Sequence, residues 1–395
     1  MALLADILFS HLLLPFVMHY FNHAACGPLA DAALQAMYIY AQREQKIGGY
    51  GAAKEAQADI ERLYRSIAAT IHALPQDIAL TQGNSDGWSR IVSAMDWSDG
   101  GRILAHRTEW GGNLGVLMQL SAQYGVQVEE IPSDSDGAMS LDALEMQLRT
   151  PASLVVLTWM PANGPLVQPA EAVGDLCAQF GVPLLVDAAQ AVGQWPVDVG
   201  RLQCSALTAP GRKWLCGPRG TGFVYIHPSF LCRLRPLSAD HFSRPWQYGT
   251  TWAYRGDARR LEHSEASIAL RLGLGAAISA WSNLGVEHIH SEIQKRADWL
   301  RTELEALPSI RVQRTGRHAS SGIVTFECAS HSAAQLHRRL NELGVEAAIS
   351  PIAFTPWDMQ ARGLGELLRL SPGHDTSYRS LQYCLDALKE LVSQT

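Results

Sequence analysis

An acid that ends one apolar run and a lysine that follows the next carry the strongest chemical signal in this chain of 395 residues. Leu184-Leu185-Val186-Asp187-Ala188-Ala189-Gln190-Ala191-Val192-Gly193 is followed by Gly211-Arg212-Lys213-Trp214 and then by Gly217-Pro218-Arg219-Gly220-Thr221-Gly222. In a doubly wound sheet the carboxyl ends of the strands converge on one crevice, so Asp187 and Lys213 can face the same ligand. Pyridoxal 5'-phosphate (PLP) needs such a pair. Its aldehyde requires a lysine, its ring nitrogen a carboxylate that keeps it protonated, and its phenolate a nearby donor. Lys213, Asp187 and Gln190 match those three needs. Taken singly, Lys213 also reads as a solvated loop lysine and Asp187 as a strand-end turn residue; the combination favours the cofactor.

The elements that must position these residues are legible around them. Arg102 to Ala105, Val126 to Ile131, Leu154 to Trp159, Pro183 to Asp187, Cys204 to Thr208 and Gly222 to Ile226 read as strands, several almost continuously apolar, as strands buried on both faces are. Helical stretches such as Leu141 to Leu148 and Pro169 to Phe180 alternate with them, the pattern of βαβ units winding a mostly parallel sheet. The texture changes after a loop rich in Pro, Trp, Gly and Arg from Pro236 to Arg260. A long helical pattern from Ser264 to Leu307 precedes strand, helix, strand and a terminal helix. The expected organisation is an N-terminal segment over 1–20, a large α/β domain over 21–262 and a smaller α+β domain over 263–395.

Composition narrows the partners. Lys plus Arg number 32 against 38 Asp plus Glu, a formal net charge of -6, which provides no electrostatic footprint for nucleic acid or an anionic membrane. Seven cysteines without a C-x-x-C pair form neither a readable disulfide framework nor a zinc knuckle, so no metal is expected and the reducing cytoplasm is the default compartment. Leu3 to Tyr20 is apolar, but Asp6 stands where a signal peptide is basic, and His11 and His19 interrupt a run too short to span a membrane. An amphipathic helix leading to a strand near Val17 to Phe21 is expected there.

Upstream, Thr81-Gln82-Gly83-Asn84-Ser85-Asp86-Gly87 precedes a helix beginning near Trp88. A polar turn at a helix N-terminus presents free amides and the positive dipole end, which suits a phosphate; an ordinary N-cap by Ser85 or Asp86 is the other reading.

Asp-Ala-Ala-Gln-x-x-Gly with the downstream Lys-Trp and Gly-Pro-x-Gly resembles the aminotransferase class V, or cysteine desulfurase-like, family, and the resemblance covers nearly the whole chain. It implies a fold-type I PLP enzyme: a large domain with a mostly parallel seven-stranded sheet and a smaller C-terminal α+β domain. It also implies that Lys213 forms the Schiff base, with Asp187, Gln190, Asn84, Ser85, Asp86 and Arg212 on the cofactor. Trp110, in Glu109-Trp110-Gly111, replaces a ring-stacking His; an indole stacks but relays no proton, and a core aromatic is the alternative. Arg212 precedes the lysine where His is common; it suits a phosphate or a solvated loop. Arg369, in Leu368-Arg369-Leu370-Ser371-Pro372, resembles the arginine that grips the substrate α-carboxylate, against a surface strand cation.

Ala347 to Leu368 lacks the mobile cysteine of the desulfurases, which disfavours a persulfide route. Ile47-Gly48-Gly49-Tyr50, Arg212-Lys213-Trp214-Leu215, Leu261-Glu262-x-x-Glu265 and Arg369-Leu370-Ser371-Pro372 are similar to hercynylcysteine sulfoxide lyases of ergothioneine biosynthesis and to related natural-product enzymes. The resemblance implies β-elimination, a C–S lyase reaction through external aldimine and quinonoid. An aminotransferase, an epimerase and an oxidative or decarboxylating deaminase are the alternatives, and a non-catalytic scaffold is one from another class. Asn22, His23, Tyr50 and Asn163 are expected around the amino-acid substrate, although His23 and Asn163 read equally as structural polar groups. The resemblance further implies a homodimer with shared active sites, in which Tyr248 to Glu265 crosses to the neighbouring subunit.

Overall fold

Seven strands build the central sheet: β1 (Ile78–Thr81), β2 (Arg102–His106), β3 (Gln127–Ile131), β4 (Leu154–Thr158), β5 (Leu184–Asp187), β6 (Ala206–Pro210) and β7 (Gly222–Ile226). The computed structural model describes residues 18–393. The strands lie in the order β1-β7-β6-β5-β4-β2-β3. Those from β6 to β3 are parallel, and towards the other edge β7 pairs antiparallel with both β6 and β1. β4, β5 and β6 are buried at every position, the burial expected of strands covered by helices on both faces. The strand bounds differ from the expected ones by a residue or two. β1, whose Ile-Ala-Leu-Thr is too short to show a period, completes the seven.

The helical pattern over 264–307 is two helices, Ile268–Leu284 and Val286–Glu305, separated by Gly285 at φ +82°, a conformation that glycine takes without a Cβ penalty. Leu274, Ile278 and Trp281 of the first helix join the core of the large sheet, so the packing of that layer extends beyond position 262.

A second, antiparallel sheet follows, of β8 (Ile310–Val312), β9 (Val324–Cys328), β10 (Ala348–Ser350) and β11 (Leu367–Leu370), in the order β8-β9-β11-β10. It has its own core, including Phe326, Leu368 and Leu385. Phe21 is fully buried in that core, because His19–Tyr20 forms a short parallel strand against Val345–Glu346. Residues 19–21 thus lie beside elements of the C-terminal half. The expected N-terminal helix lies outside the described residues. Among those residues, no helix is long and apolar enough to cross a membrane.

Candidate active site

The strand order reverses between β4 and β2, and ligands of open α/β sheets bind at such a point, outside the carboxyl ends of the strands. A cavity of about 800 Å³ opens there, lined by Asn84, Trp110, Asp187, Gln190, Lys213 and Arg369 among others. Parallel pairing sets Thr158 and Asp187, the last residues of β4 and β5, side by side, with Thr208 of β6 next to Asp187. The hydrogen-bonding register therefore delivers Asp187 to the crevice.

Asp187 is buried, and both oxygens of its carboxylate accept hydrogen bonds, Oδ1 only one. Oδ2 accepts from Asn84 Nδ2 and Asn113 Nδ2, both at 2.8 Å, and Oδ1 accepts from the Ala189 amide at 2.9 Å. Behind it lies a second buried acid, Glu109. Its Oε1 accepts from Thr158 Oγ1 at 2.6 Å, Asn113 Nδ2 at 2.7 Å and the Trp110 amide at 3.2 Å, and its Oε2 accepts from the Thr158 amide at 3.0 Å. Burial, and then the charge of Asp187, push the Glu109 carboxyl up to about 7 against those hydrogen bonds.

Lys213 sits in the loop between β6 and β7. Its surroundings strip the amine of bulk water and the Arg212 and Arg369 cations repel its charge; Asp187 pulls the other way, and the net effect lowers the lysine to about 7. Gly193, at φ +98°, lets the turn after β5 lie against this loop, since a Cβ there would be 2.6 Å from the Trp214 carbonyl carbon. Trp214 Nε1 donates to Gln190 Oε1 at 2.8 Å, and Gln190 Nε2 donates to the Ala24 carbonyl at 2.9 Å. The Gln190 amide is thereby oriented, with one N–H beyond the Ala24 bond.

The helix Asn84–Ser93 points its N-terminus at the same cavity, which Gly83, Asn84, Ser85, Arg212 and Arg219 also line. Its first amides have no intrahelical acceptor. Gly222 allows this turn to approach β7, because a Cβ there would lie 2.8 Å from Gly83 Cα. Asp86 differs from the cofactor-binding expectation. Its carboxylate accepts from the Gln82 amide at 2.9 Å and from Arg90 Nε at 2.8 Å; it stabilises the turn, and as an acceptor it offers a phosphate nothing.

Trp110 lines the cavity and meets Phe354 at 4.8 Å between centroids. Arg369 is buried in the middle of the second sheet, opposite Thr325 and Ala348, its Nη1 donating to the Ala162 carbonyl at 3.1 Å while Nε has no partner. An unpartnered buried guanidinium edge is costly alone and fits an incoming carboxylate.

Of the expected substrate residues Arg369 and Asn22 line the cavity, and His23, Tyr50 and Asn163 do not. His23 stacks on Trp214 at 5.9 Å and faces the Ser371 carbonyl; burial lowers it to about 4, partly opposed by Asp375, so it is a neutral structural group. Asn163 is buried elsewhere, donating to Asp358 Oδ2 at 2.8 Å. Tyr50, 98% exposed near the start of the helix Gly49–Thr70, does not line this chain's cavity. Sequence reasoning missed five contributors. Glu109 and Asn113 had a signal, an acid and an amide four apart at a helix start; Tyr20, Glu346 and Phe354 had none, since they reach the cavity through pairing and packing between distant segments.

These groups fit PLP. An amine, a carboxylate held by three donors, an anion-binding turn flanked by two arginines and an unpartnered guanidinium edge surround one cavity large enough for a cofactor. Comparison with known proteins agrees. The family described as aminotransferase class V matches residues 19–378. The chain is 28% identical over 380 residues to a probable hercynylcysteine sulfoxide lyase of Mycobacterium tuberculosis (strain CDC 1551 / Oshkosh), covering 95% of this chain and 90% of that one. It is 25% identical over 338 residues to a cysteine desulfurase of Cronobacter sakazakii, covering 82% of each. In fold it is similar to an apo cysteine desulfurase from Thermococcus onnurineus NA1, with TM-score 0.87, 20% identity and 96% and 95% of the two chains covered. It is also similar to the cystine C–S lyase C-DES in complex with cysteine persulfide, with TM-score 0.85, 23% identity and 94% and 97% covered. From the extent of the family match, and in keeping with its fold, this chain belongs to the aminotransferase class V family of PLP-dependent enzymes.

Proposed function

We propose that this protein is a PLP-dependent C–S β-lyase acting on an S-substituted cysteine. The observation that carries the reading is that Lys213, lowered by burial and its cationic neighbours, is the amine of a cavity that Trp110 and Arg369 also line. PLP, when bound, supplies an electron-withdrawing ring that stabilises negative charge at the substrate Cα. Asp187 would hold the ring nitrogen, the turn at Asn84 and Ser85 with Arg212 the phosphate, and Gln190 the phenolate. Arg369 fixes the α-carboxylate and so presents the Cα proton to Lys213. An amine poised near neutrality accepts that proton, and the side chain departs with its sulfur. The balance is one S-substituted cysteine and one water giving one thiol, pyruvate and ammonia; a sulfoxide gives a sulfenic acid in place of the thiol. Two relatives, one named a sulfoxide lyase and one a C–S lyase, support this chemistry.

The absence of cysteine from Ala347 to Leu368 argues against persulfide transfer through a mobile thiol of that segment. Seven free cysteines suit a reducing compartment, the cytoplasm. A homodimer is supported by the exposed aromatics Trp246, Tyr248 and Trp252 of the ribbon that follows the large sheet. The test is a screen of cysteine conjugates and plain amino acids with products identified by mass. Pyruvate with the free thiol is expected. An intact side chain on a keto acid, or peroxide with oxygen consumption, would replace elimination by transamination or oxidation.

A further inference from the structure

The cavity has one carboxylate that neither the cofactor contacts nor the turn chemistry above uses. Glu346 lines it from the short strand Val345–Glu346, where pairing sets it opposite Tyr20. Asn22, two residues along from Tyr20, bridges to Ser371, two residues beyond Arg369. One short N-terminal segment therefore joins the element that carries Glu346 to the element that carries Arg369. We propose that Glu346 receives a positive charge on the substrate's sulfur substituent, so that the enzyme prefers cysteine conjugates with a cationic side chain. This rests on the lyase reading and specifies its substrate class.

Three observations support it. Glu346 is only partly exposed, and its sole side-chain partner is neutral: Asn22 Nδ2 donates to Oε1 at 3.0 Å, and among the described residues no cation pairs with it. Of the cavity's cations, Arg369 donates to the Ala162 carbonyl, and Lys213, Arg212 and Arg219 belong to the side assigned to the cofactor; none of them pairs with Glu346. A partly desolvated carboxylate beside a neutral amide favours an incoming cation and repels an anion. Tyr20 and Phe354 line the same space, and aromatic rings add to the attraction for a cation. The Tyr20 phenol is pushed up to about 12 by burial and the neighbouring Cys26 and Glu346, and it donates to the Cys26 carbonyl. Tyr20 therefore stays neutral and adds no second negative charge.

The experiment uses the holoenzyme and three conjugates of similar length: S-(2-aminoethyl)cysteine, S-propylcysteine and S-carboxymethylcysteine, which are cationic, neutral and anionic. Pyruvate release yields kcat and KM, and calorimetry yields binding independently of turnover. The expected order is cation, neutral, anion, with KM and Kd rising about tenfold at each step. Glu346→Gln keeps an acceptor for Asn22 and should abolish the cation's advantage over the neutral conjugate; Glu346→Lys should reverse the order. Equal affinity for all three, or a cation preference that survives Glu346→Gln, overturns the assignment. If no conjugate yields pyruvate but calorimetry retains the charge order, the lyase reading fails and the Glu346 assignment stands. Pyruvate released without any charge order has the opposite meaning.

Discussion

Glu109 and Asp187 share one amide: Asn113 Nδ2 lies 2.7 Å from Glu109 Oε1 and 2.8 Å from Asp187 Oδ2, so one buried side chain holds two buried acids in place. The pair tolerates this closeness because Glu109 is displaced to about 7 by burial and by Asp187 itself. Replacing Asn113 by Leu should leave both acids short of a donor. We expect a loss of about 1–3 kcal/mol in stability, with weaker PLP retention. A folded-state acid displaced upward disfavours the fold as pH rises from its ordinary 4.5 towards 7. The Asn113→Leu defect should therefore be larger at pH 8 than at pH 6 in denaturant unfolding.

Lys213→Ala should reduce turnover by on the order of 10⁴-fold or more and remove the absorbance of lysine-bound cofactor, with the fold retained. A mutant that still retains PLP on a lysine after borohydride reduction would transfer the role elsewhere. In the cofactor-free protein, PLP capture should increase with pH through about 7 rather than near 10.5. Because the folded-state lysine is depressed, the unfolded chain binds more protons between those values. Stability of the cofactor-free parent, relative to Lys213→Ala, should rise with pH across that window.

Asp187→Asn keeps the shape of the side chain and removes the charge that would protonate the ring nitrogen. A fall in kcat of about a hundredfold or more is expected, with a smaller loss of cofactor affinity than in Asp187→Ala, which also deprives Asn84, Asn113 and the Ala189 amide of their acceptor. Unchanged turnover in Asp187→Asn would remove the residue from the chemistry.

Arg369→Lys replaces a planar fork by a point charge. KM for substrates bearing an α-carboxylate should rise roughly 30- to 100-fold, the scale of one charge-assisted hydrogen bond. Affinity for the corresponding carboxamides should change little, and a comparable loss for both would place Arg369 away from the carboxylate.

Assembly is testable by mixing. Arg259 is held by Glu61 and lies over the Tyr64 ring at 3.7 Å, and Arg255 pairs with Asp257, so both are engaged within their own chain. Tyr248, 83% exposed, and Trp252 remain available to a neighbour. An equimolar mixture of Lys213→Ala with a Tyr248→Ala, Trp252→Ala chain, half of whose dimers are mixed with one intact site in two, should regain about a quarter of parental activity if sites are shared across a two-fold axis. A fully active monomer in sedimentation, or no recovery on mixing two inactive forms, contradicts shared sites.

The amino-acid sequence by itself determined the sheet and the part of the crevice that Asp187 and Lys213 line. Strands buried on both faces are read from runs of apolar residues, and a residue at a strand end inherits its place from the sheet, so Asp187, Lys213 and the turn at Asn84 were legible. Tertiary structure decided the rest of the lining. Glu346 and Arg369 meet the cavity because a strand at the start of the chain pairs near its end. Asn163 and His23, polar residues that looked available, are satisfied by Asp358 and by Ser371 and Trp214. No local period encodes these outcomes. They depend on which buried polar atoms find partners once distant segments pack, and the atoms left without one, such as Arg369 Nε, become visible only then.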